Sequence, residues 1–187
     1  MFPFLSGKEL NMNTMNTLGH VRRVDTLGRV VLPKEMRHIL RIKDEDPLEL
    51  FLTDTGIFIK KYQPIRTIDS LCGNYLAALS KNCKVACAIT NTDYVIASKG
   101  INLSTEQLLS EKVRSHISNL KAYEYSEDEP ISLFADGSYP VNALYPIGTH
   151  NTIAGAVILL HYRNTSMEEK CCGKLTASLL TELLNND

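Results

Sequence analysis

The sequence lacks the features that mark a membrane protein, a secreted protein or an enzyme. No run approaches the roughly eighteen apolar residues that a membrane helix needs. The longest, Ile153 to Leu160, is the length of a strand, so no membrane partner is expected. Residues 1–17 have no basic start, apolar core and small-residue cleavage site in the order of a secretion signal, and a disordered tail is expected there. The cysteines are odd in number (Cys72, Cys83, Cys87, Cys171 and Cys172), which points to a reducing cytoplasm rather than a disulfide framework. Neither Cys83/Cys87 nor Cys171/Cys172 has the spacing of a zinc knuckle, and His116, His150 and His161 have no histidine partner one helical turn away. No metal is therefore expected, and the thiols read as small buried hydrophobes. A glycine-rich phosphate loop, a G-x-S-x-G elbow and a paired-carboxylate constellation are all missing, so no enzyme and no cofactor are expected.

What is present becomes visible once the charge is mapped. The whole chain carries a net charge of −1, but Leu18 to Lys43 holds seven basic residues against two acidic, a surplus of +5. From Gln63 to Asp187 ten Lys and Arg face thirteen Asp and Glu, a balance of −3. A basic head on an acidic body points to a polyanion as the head's partner.

Within the head, HVRRV (His20–Val24) alternates as a short strand. Asp25-Thr26-Leu27-Gly28 is a turn signal, and RVVL (Arg29–Leu32) is strand-like. Pro33 opens an expected helix, PKEMRHILR, which would carry Met36, Ile39 and Leu40 on one face and Lys34, Arg37 and Arg41 on another. PLELFL (Pro47–Leu52) and Ile57–Tyr62 read as a hairpin about Asp54-Thr55-Gly56. Strand, strand, helix, strand, strand is too little chain for a core of its own. An obligate dimer with interleaved hairpins follows.

The gapless run VRRVDTLGRVVLPKEMR, together with DPLELFLTDTGIFIKKY, resembles the swapped-hairpin DNA-binding domain of the AbrB-type transition-state regulators. The likeness extends to those members in spore-forming bacteria that continue into a GAF-like domain. It implies double-stranded DNA as partner, a nucleoid-associated place in the cytoplasm, control of sporulation (forespore) genes, and Arg22, Arg23, Arg29 and Arg37 as DNA-contacting positions. An arginine fork fits two phosphate oxygens or one guanine edge. Arg22 and Arg23, as neighbours on a strand, would face opposite ways. Lys34, His38 and Arg41 complete the candidate set. The family commonly has arginine where this chain has His38, which is shorter and mostly neutral at pH 7. A glycine frequent in related loops is Glu45 here. For each arginine the alternative is a solvated charge or a bridge to Asp25 or Glu35. With no helix long enough for a helix-turn-helix, a flexible paired surface would contact phosphate and sense groove shape, giving strong salt dependence and an AT-leaning preference.

After Gln63-Pro64, residues Ile65–Asn82 read as an amphipathic helix, and Lys84–Thr90 with Tyr94–Ser98 as a hairpin. Ser104 with Gln107 has the capping-box form that opens a helix to Asn119. Glu124–Pro130 is an acidic loop, Val141–Ile147 and Ile153–His161 are strands, and Ser166 caps a last helix with an apolar stripe of leucines. The overall expectation is an α+β protein: an AbrB-type swapped-hairpin, β-barrel-like dimer at 18–62, then an α/β GAF-like sensing and oligomerisation domain with an antiparallel sheet at 63–187. A second dimer contact through the last helix would give a homotetramer. The GAF resemblance implies an unidentified small-molecule ligand, with Tyr94, Tyr139 and Tyr145 as lining or as packing. The sequence leaves open whether genes are activated or repressed. It leaves two alternatives: an antitoxin-like autoregulator, and a GAF-type cysteine reductase, which would need a low-pKa thiol.

Overall fold

A computed structural model describes residues 20–160 and 165–185, with Asp69 described in its backbone alone. The tail expected at 1–17 and His161 lie outside the described residues. The chain forms two compact units, Met1–Tyr62 and Gln63–Asp187.

In unit 1 the turn at Asp25–Gly28 is built as the sequence suggests. Gly28 takes φ +78°, its N–H donates to the Asp25 carbonyl (3.0 Å), and the Asp25 N–H donates to the Arg29 carbonyl (3.0 Å). The flanking arms, His20–Val24 and Arg29–Leu32, differ from expectation: neither joins a ladder within the protomer. A strand is stabilised by a neighbour's amides, and unit 1 has no spare edge paired to them.

The helix α1 spans Lys34–Ile39, shorter than the expected stretch to Arg41. Its end is a Schellman closure. Ile42 N–H reaches back to the Arg37 carbonyl (2.8 Å), Arg41 N–H to that of His38 (3.2 Å), and Arg41 is left-handed at φ +54°. Strands β1 (Leu48–Thr53) and β2 (Gly56–Lys61) pair antiparallel, with Leu50 opposite Ile59 and Leu52 opposite Ile57. Because side chains alternate, one face of this ribbon carries Leu48, Leu50, Leu52, Ile57 and Ile59, with Lys61 at its end opposite Leu48. The other face carries Phe51 against Phe58 (centroids 6.3 Å), with Lys60 over the Phe51 ring and bridged to Glu49 (3.1 Å).

Unit 2 begins with a 3₁₀ turn at Pro64–Ile68, followed by α2 (Asp69–Cys83). Strands β3 (Cys87–Thr90) and β4 (Val95–Lys99), helix α3 (Glu111–Ser118), and strands β5 (Tyr123–Glu124), β6 (Val141–Thr149) and β7 (Thr152–Leu160) follow. The last helix, α4, spans Met167–Asn185. The strands form one antiparallel sheet in the order β4-β3-β7-β6-β5. Strand alternation sorts the core into two layers. Cys87, Ile89, Ala143, Val157 and Leu159 face the α2–α4 side. Ala88, Leu144, Ile158 and Leu160 face α3 and the loops around Leu133 and Phe134. Strand β7 lies so close to β3 at Gly155 that a Cβ there would stand 1.8 Å from the Thr90 carbonyl oxygen.

Two caps tell different stories. At α4 the Ser166 Oγ accepts from Glu169 N–H (3.3 Å) while Glu169 Oε2 accepts from Ser166 N–H (2.8 Å), a reciprocal capping box. The expected box at Ser104 opens no helix. Its hydroxyl accepts locally from Glu106 N–H (3.2 Å), and Gln107 instead donates to Asp136 (3.1 Å). The helix starts later, at Ser110, whose Oγ accepts from Val113 N–H (3.3 Å) and donates to the Ser132 carbonyl (2.7 Å).

Candidate nucleic-acid interface

The basic residues singled out by the sequence divide into two groups. Arg22, Arg23 and Arg29 stand on the arms of the Asp25–Gly28 turn, all exposed. Lys34, Arg37 and His38 share one face of α1, since they are spaced i, i+3 and i+4. Arg41 does not join them: the Schellman closure carries it off the helix. His38 rather than Arg41 therefore completes that helical face.

Arg29 is the most constrained of the set. Asp25 Oδ1 accepts from the N–H groups of Leu27 (2.9 Å) and Arg29 (2.8 Å), and Asp25 Oδ2 accepts from Arg29 Nε (2.7 Å). The carboxylate thus builds the turn and aims the side chain at once. The Arg29 backbone N–H, then its guanidinium, hold the Asp25 carboxyl below its ordinary value of 3.8. Only Nε is engaged, so both Nη groups of Arg29 remain unpaired among the described residues. Those two nitrogens form the edge that grips a phosphate or a guanine. The bridge from Arg29 to Asp25 is the pairing the sequence offered as the alternative to DNA contact; the turn-building role of Asp25 Oδ1 is the part it missed, although the spacing D-x-x-G-R carried its signal.

The other cations are less tightly placed. Arg22 Nη1 donates to the neighbouring Val21 carbonyl (3.0 Å), and Arg37 Nη1 to Asp44 Oδ1 (3.1 Å), an exposed pair. Such surface bridges are worth about 0–1 kcal/mol, so a phosphate can displace the carboxylate at little cost. Around these cations lies an unusual amount of uncovered apolar surface. Thirteen large apolar side chains from Val21 to Tyr62 are exposed, and no hydrophobic side chain in that span is fully buried except Pro33.

In unit 2 the three tyrosines take structural places. Tyr145 lies under α4, its ring within 3.2 Å of where a Gly173 Cβ would sit, and its hydroxyl donates to Glu124 (3.3 Å). Tyr139 meets Phe134 edge-on (5.8 Å), and Tyr94 bridges to Leu108. His116 holds the Lys121 carbonyl (3.0 Å) and meets Tyr123 edge-on (centroids 5.5 Å), while His150 sits in the β6–β7 turn. Cys72, Cys83 and Cys87 are buried free thiols as expected, Cys172 is half-buried and Cys171 is exposed. Burial pushes the Cys87 thiol up to about 12. No group of metal-binding side chains occurs among the described residues, and no described helix is long and apolar enough to cross a membrane.

Comparison with known proteins bears on both units. Residues 21–67 match the family model described as antidote-toxin recognition MazE, bacterial antitoxin. The chain is similar to stage V sporulation protein T of Bacillus subtilis (strain 168), with 33% identity over 162 residues covering 82% of this chain and 89% of the relative. It is also similar to the transition state regulatory protein AbrB of the same organism, with 34% identity over 110 residues covering 57% of this chain and 98% of the relative. The arginine-bearing turn, the short helix and the ribbon that follows thus lie within the span of a likeness that continues into unit 2, and the chain belongs to the AbrB/MazE-type family of transcription regulators.

Proposed function

We propose that this protein is a regulator of sporulation genes that holds duplex DNA through a surface built by two copies of unit 1. One observation carries the reading: unit 1 joins a basic head of +5 to a fold whose apolar side chains are nearly all uncovered. A soluble domain of this size cannot leave Leu50, Leu52 and Ile57 in water. A second copy that interleaves its hairpin supplies edges for the unpaired arms at 20–24 and 29–32 and covers the apolar face of β1–β2. This is the swapped-hairpin dimer. It doubles every cation, setting Arg22, Arg23, Arg29, Lys34, Arg37, His38 and Arg41 on one grip for phosphates.

Domain assignment follows: DNA binding at 18–62 and a GAF-like domain at 63–187, whose sheet between α2–α4 and α3 supports that reading. Exposed Leu175 and Leu179 on α4 support a second contact between copies, making a tetramer. A small ligand on the α3 side would modulate DNA binding only by favouring one arrangement of the assembly over another.

The reading is tested by fluorescence anisotropy of the full chain on AT-rich duplexes. Wild type should bind with steep salt dependence, and Arg29→Ala should weaken binding at least tenfold without changing the oligomer. Equal binding by both proteins would overturn the assignment. A second reading, an antitoxin-like autoregulator, is favoured by the match at residues 21–67. Co-purification of a stoichiometric toxin would select it.

A further inference from the structure

Unit 2 is acidic overall, at −3, and several of its cations are occupied. Arg114 donates to the Leu109 carbonyl and sits 4.0 Å from Asp93, Lys112 reaches the Pro130 carbonyl, and Lys170 bridges to Glu124 at 2.8 Å. Of the unit 2 cations whose side chains have no partner among the described residues, three lysines stand at one corner of the sheet, whereas Arg66 and Lys121 lie elsewhere in the chain. Lys81 lies in the last turn of α2, Lys84 follows its end, and Lys99 closes β4. All three are exposed, and none has a side-chain hydrogen bond or ion pair among the described residues.

The topology brings them together. Helix α2 ends at Cys83, and β3 starts at Cys87, directly opposite Lys99 in the antiparallel register. Beyond that pair Gly100 runs so close to Ala86 that a Cβ would stand 3.0 Å from the Ala86 Cα. The α2–β3 connection that carries Lys84 and the end of β4 that carries Lys99 are therefore adjacent. Lys84 is itself left-handed at φ +49°, a conformation that favours glycine, yet a cation stands there. Lys81 and Lys84 also lie at the carbonyl end of α2, where positive charge is favourable. That cannot account for Lys99, which belongs to a strand.

The surroundings narrow the partner. No large apolar side chain between Tyr75 and Tyr123 is exposed among the described residues, so nothing at the corner would enter a lipid bilayer or stack on an unpaired base. Isolated ammonium groups with neither feature suit a regular array of phosphates. We propose that Lys81, Lys84 and Lys99 form a second phosphate-contact patch that grips the backbone of the duplex held by unit 1. The proposal rests on the reading of unit 1 as the DNA-binding unit. Unit 2 is joined to unit 1 through Tyr62 and Gln63, so a duplex held by unit 1 is at high effective concentration for the cations of unit 2.

The test is the salt dependence of duplex binding by the full chain, compared for wild type, the triple variant Lys81→Gln/Lys84→Gln/Lys99→Gln, and Arg29→Ala. Each lost phosphate contact lowers the slope of log K against log salt by about 0.9. The triple variant should therefore lower it by up to about 2.7 per engaged protomer, with the ranking of duplex sequences and the oligomer unchanged. An unaltered slope in the triple variant, with binding still lost in Arg29→Ala, overturns the patch and leaves unit 1's role standing. A triple variant altered only in its thermal midpoint assigns the lysines to the helix end and overturns the patch. Loss of binding to anionic phospholipid vesicles with the duplex slope intact overturns it in favour of a membrane surface. Wild type that ignores every duplex removes the reading of unit 1, and the patch with it.

Discussion

Leu50 is the sharpest probe of whether unit 1 is half of an assembly. In the protomer it sits mid-strand opposite Ile59 and is 62% exposed, so truncation should be almost neutral if the protomer is the functional form. Surface substitutions of that kind change stability by within about 0.5 kcal/mol. If a partner covers the apolar face of β1–β2, the same change removes buried surface. Leu→Ala in a packed site costs about 2–5 kcal/mol. Scaling by the share of the side chain that only a partner can bury leaves about 2 kcal/mol per protomer. A symmetric dimer loses it twice, about 4 kcal/mol, which is roughly a thousandfold in the dissociation constant. Sedimentation equilibrium over a wide concentration range, with Thr53→Ala on the opposite face of the same strand as control, measures this directly. A dissociation constant for Leu50→Ala within twofold of wild type would refute the reasoning.

Three further outcomes follow from particular contacts. Gly155→Ala should destabilise unit 2 by about 3 kcal/mol or more in urea unfolding, because its methyl would overlap the Thr90 carbonyl oxygen and push β7 off β3; a loss under about 1 kcal/mol would mean the strands are not so close. Glu45→Gly should raise stability by about 0.5–1 kcal/mol, since relief of a left-handed residue outweighs the extra freedom of the unfolded chain, and an unchanged or lower thermal midpoint would contradict it. Cys87, whose folded thiol lies at about 12 against an ordinary 9.0, should resist a thiol reagent until unfolding, while exposed Cys171 reacts at once. Its raised value means that the burial contributes stability fully below about pH 9 and loses it as pH climbs toward 12. Prompt modification of Cys87 in the native protein would reopen the reductase alternative.

Local chemistry made much of this fold legible. The alternation of PLELFL, the strand-length apolar run Ile153–Leu160, the Asp25–Gly28 turn and the Ser166 cap each depend on neighbours within a few residues, and each is found where the sequence put it. What escaped depends on distant partners. Ser104 and Gln107 have a capping spacing, but Gln107 is claimed by Asp136, twenty-nine residues on, and the helix waits for Ser110, which is anchored by the Ser132 carbonyl. The helix at Lys34 reads as continuing to Arg41 because nothing in ILRI forbids another turn; the Schellman bonds from Arg41 and Ile42 end it at Ile39. The arms at 20–24 and 29–32 read as strands in the sequence, yet neither joins a ladder in the structure. At the candidate interface, composition points to the cations and spacing to the helical face, but that Asp25 occupies Nε of Arg29 and leaves its outer edge open depends on side-chain geometry that no sequence pattern specifies.

Native mass spectrometry of the full chain on one short AT-rich duplex tests the central claim most directly. Only even numbers of protomers should be found on the duplex, and Leu50→Ala should reduce occupancy rather than yield a single bound copy. A stable complex of one protomer with one duplex would contradict the claim that two copies of unit 1 make the grip.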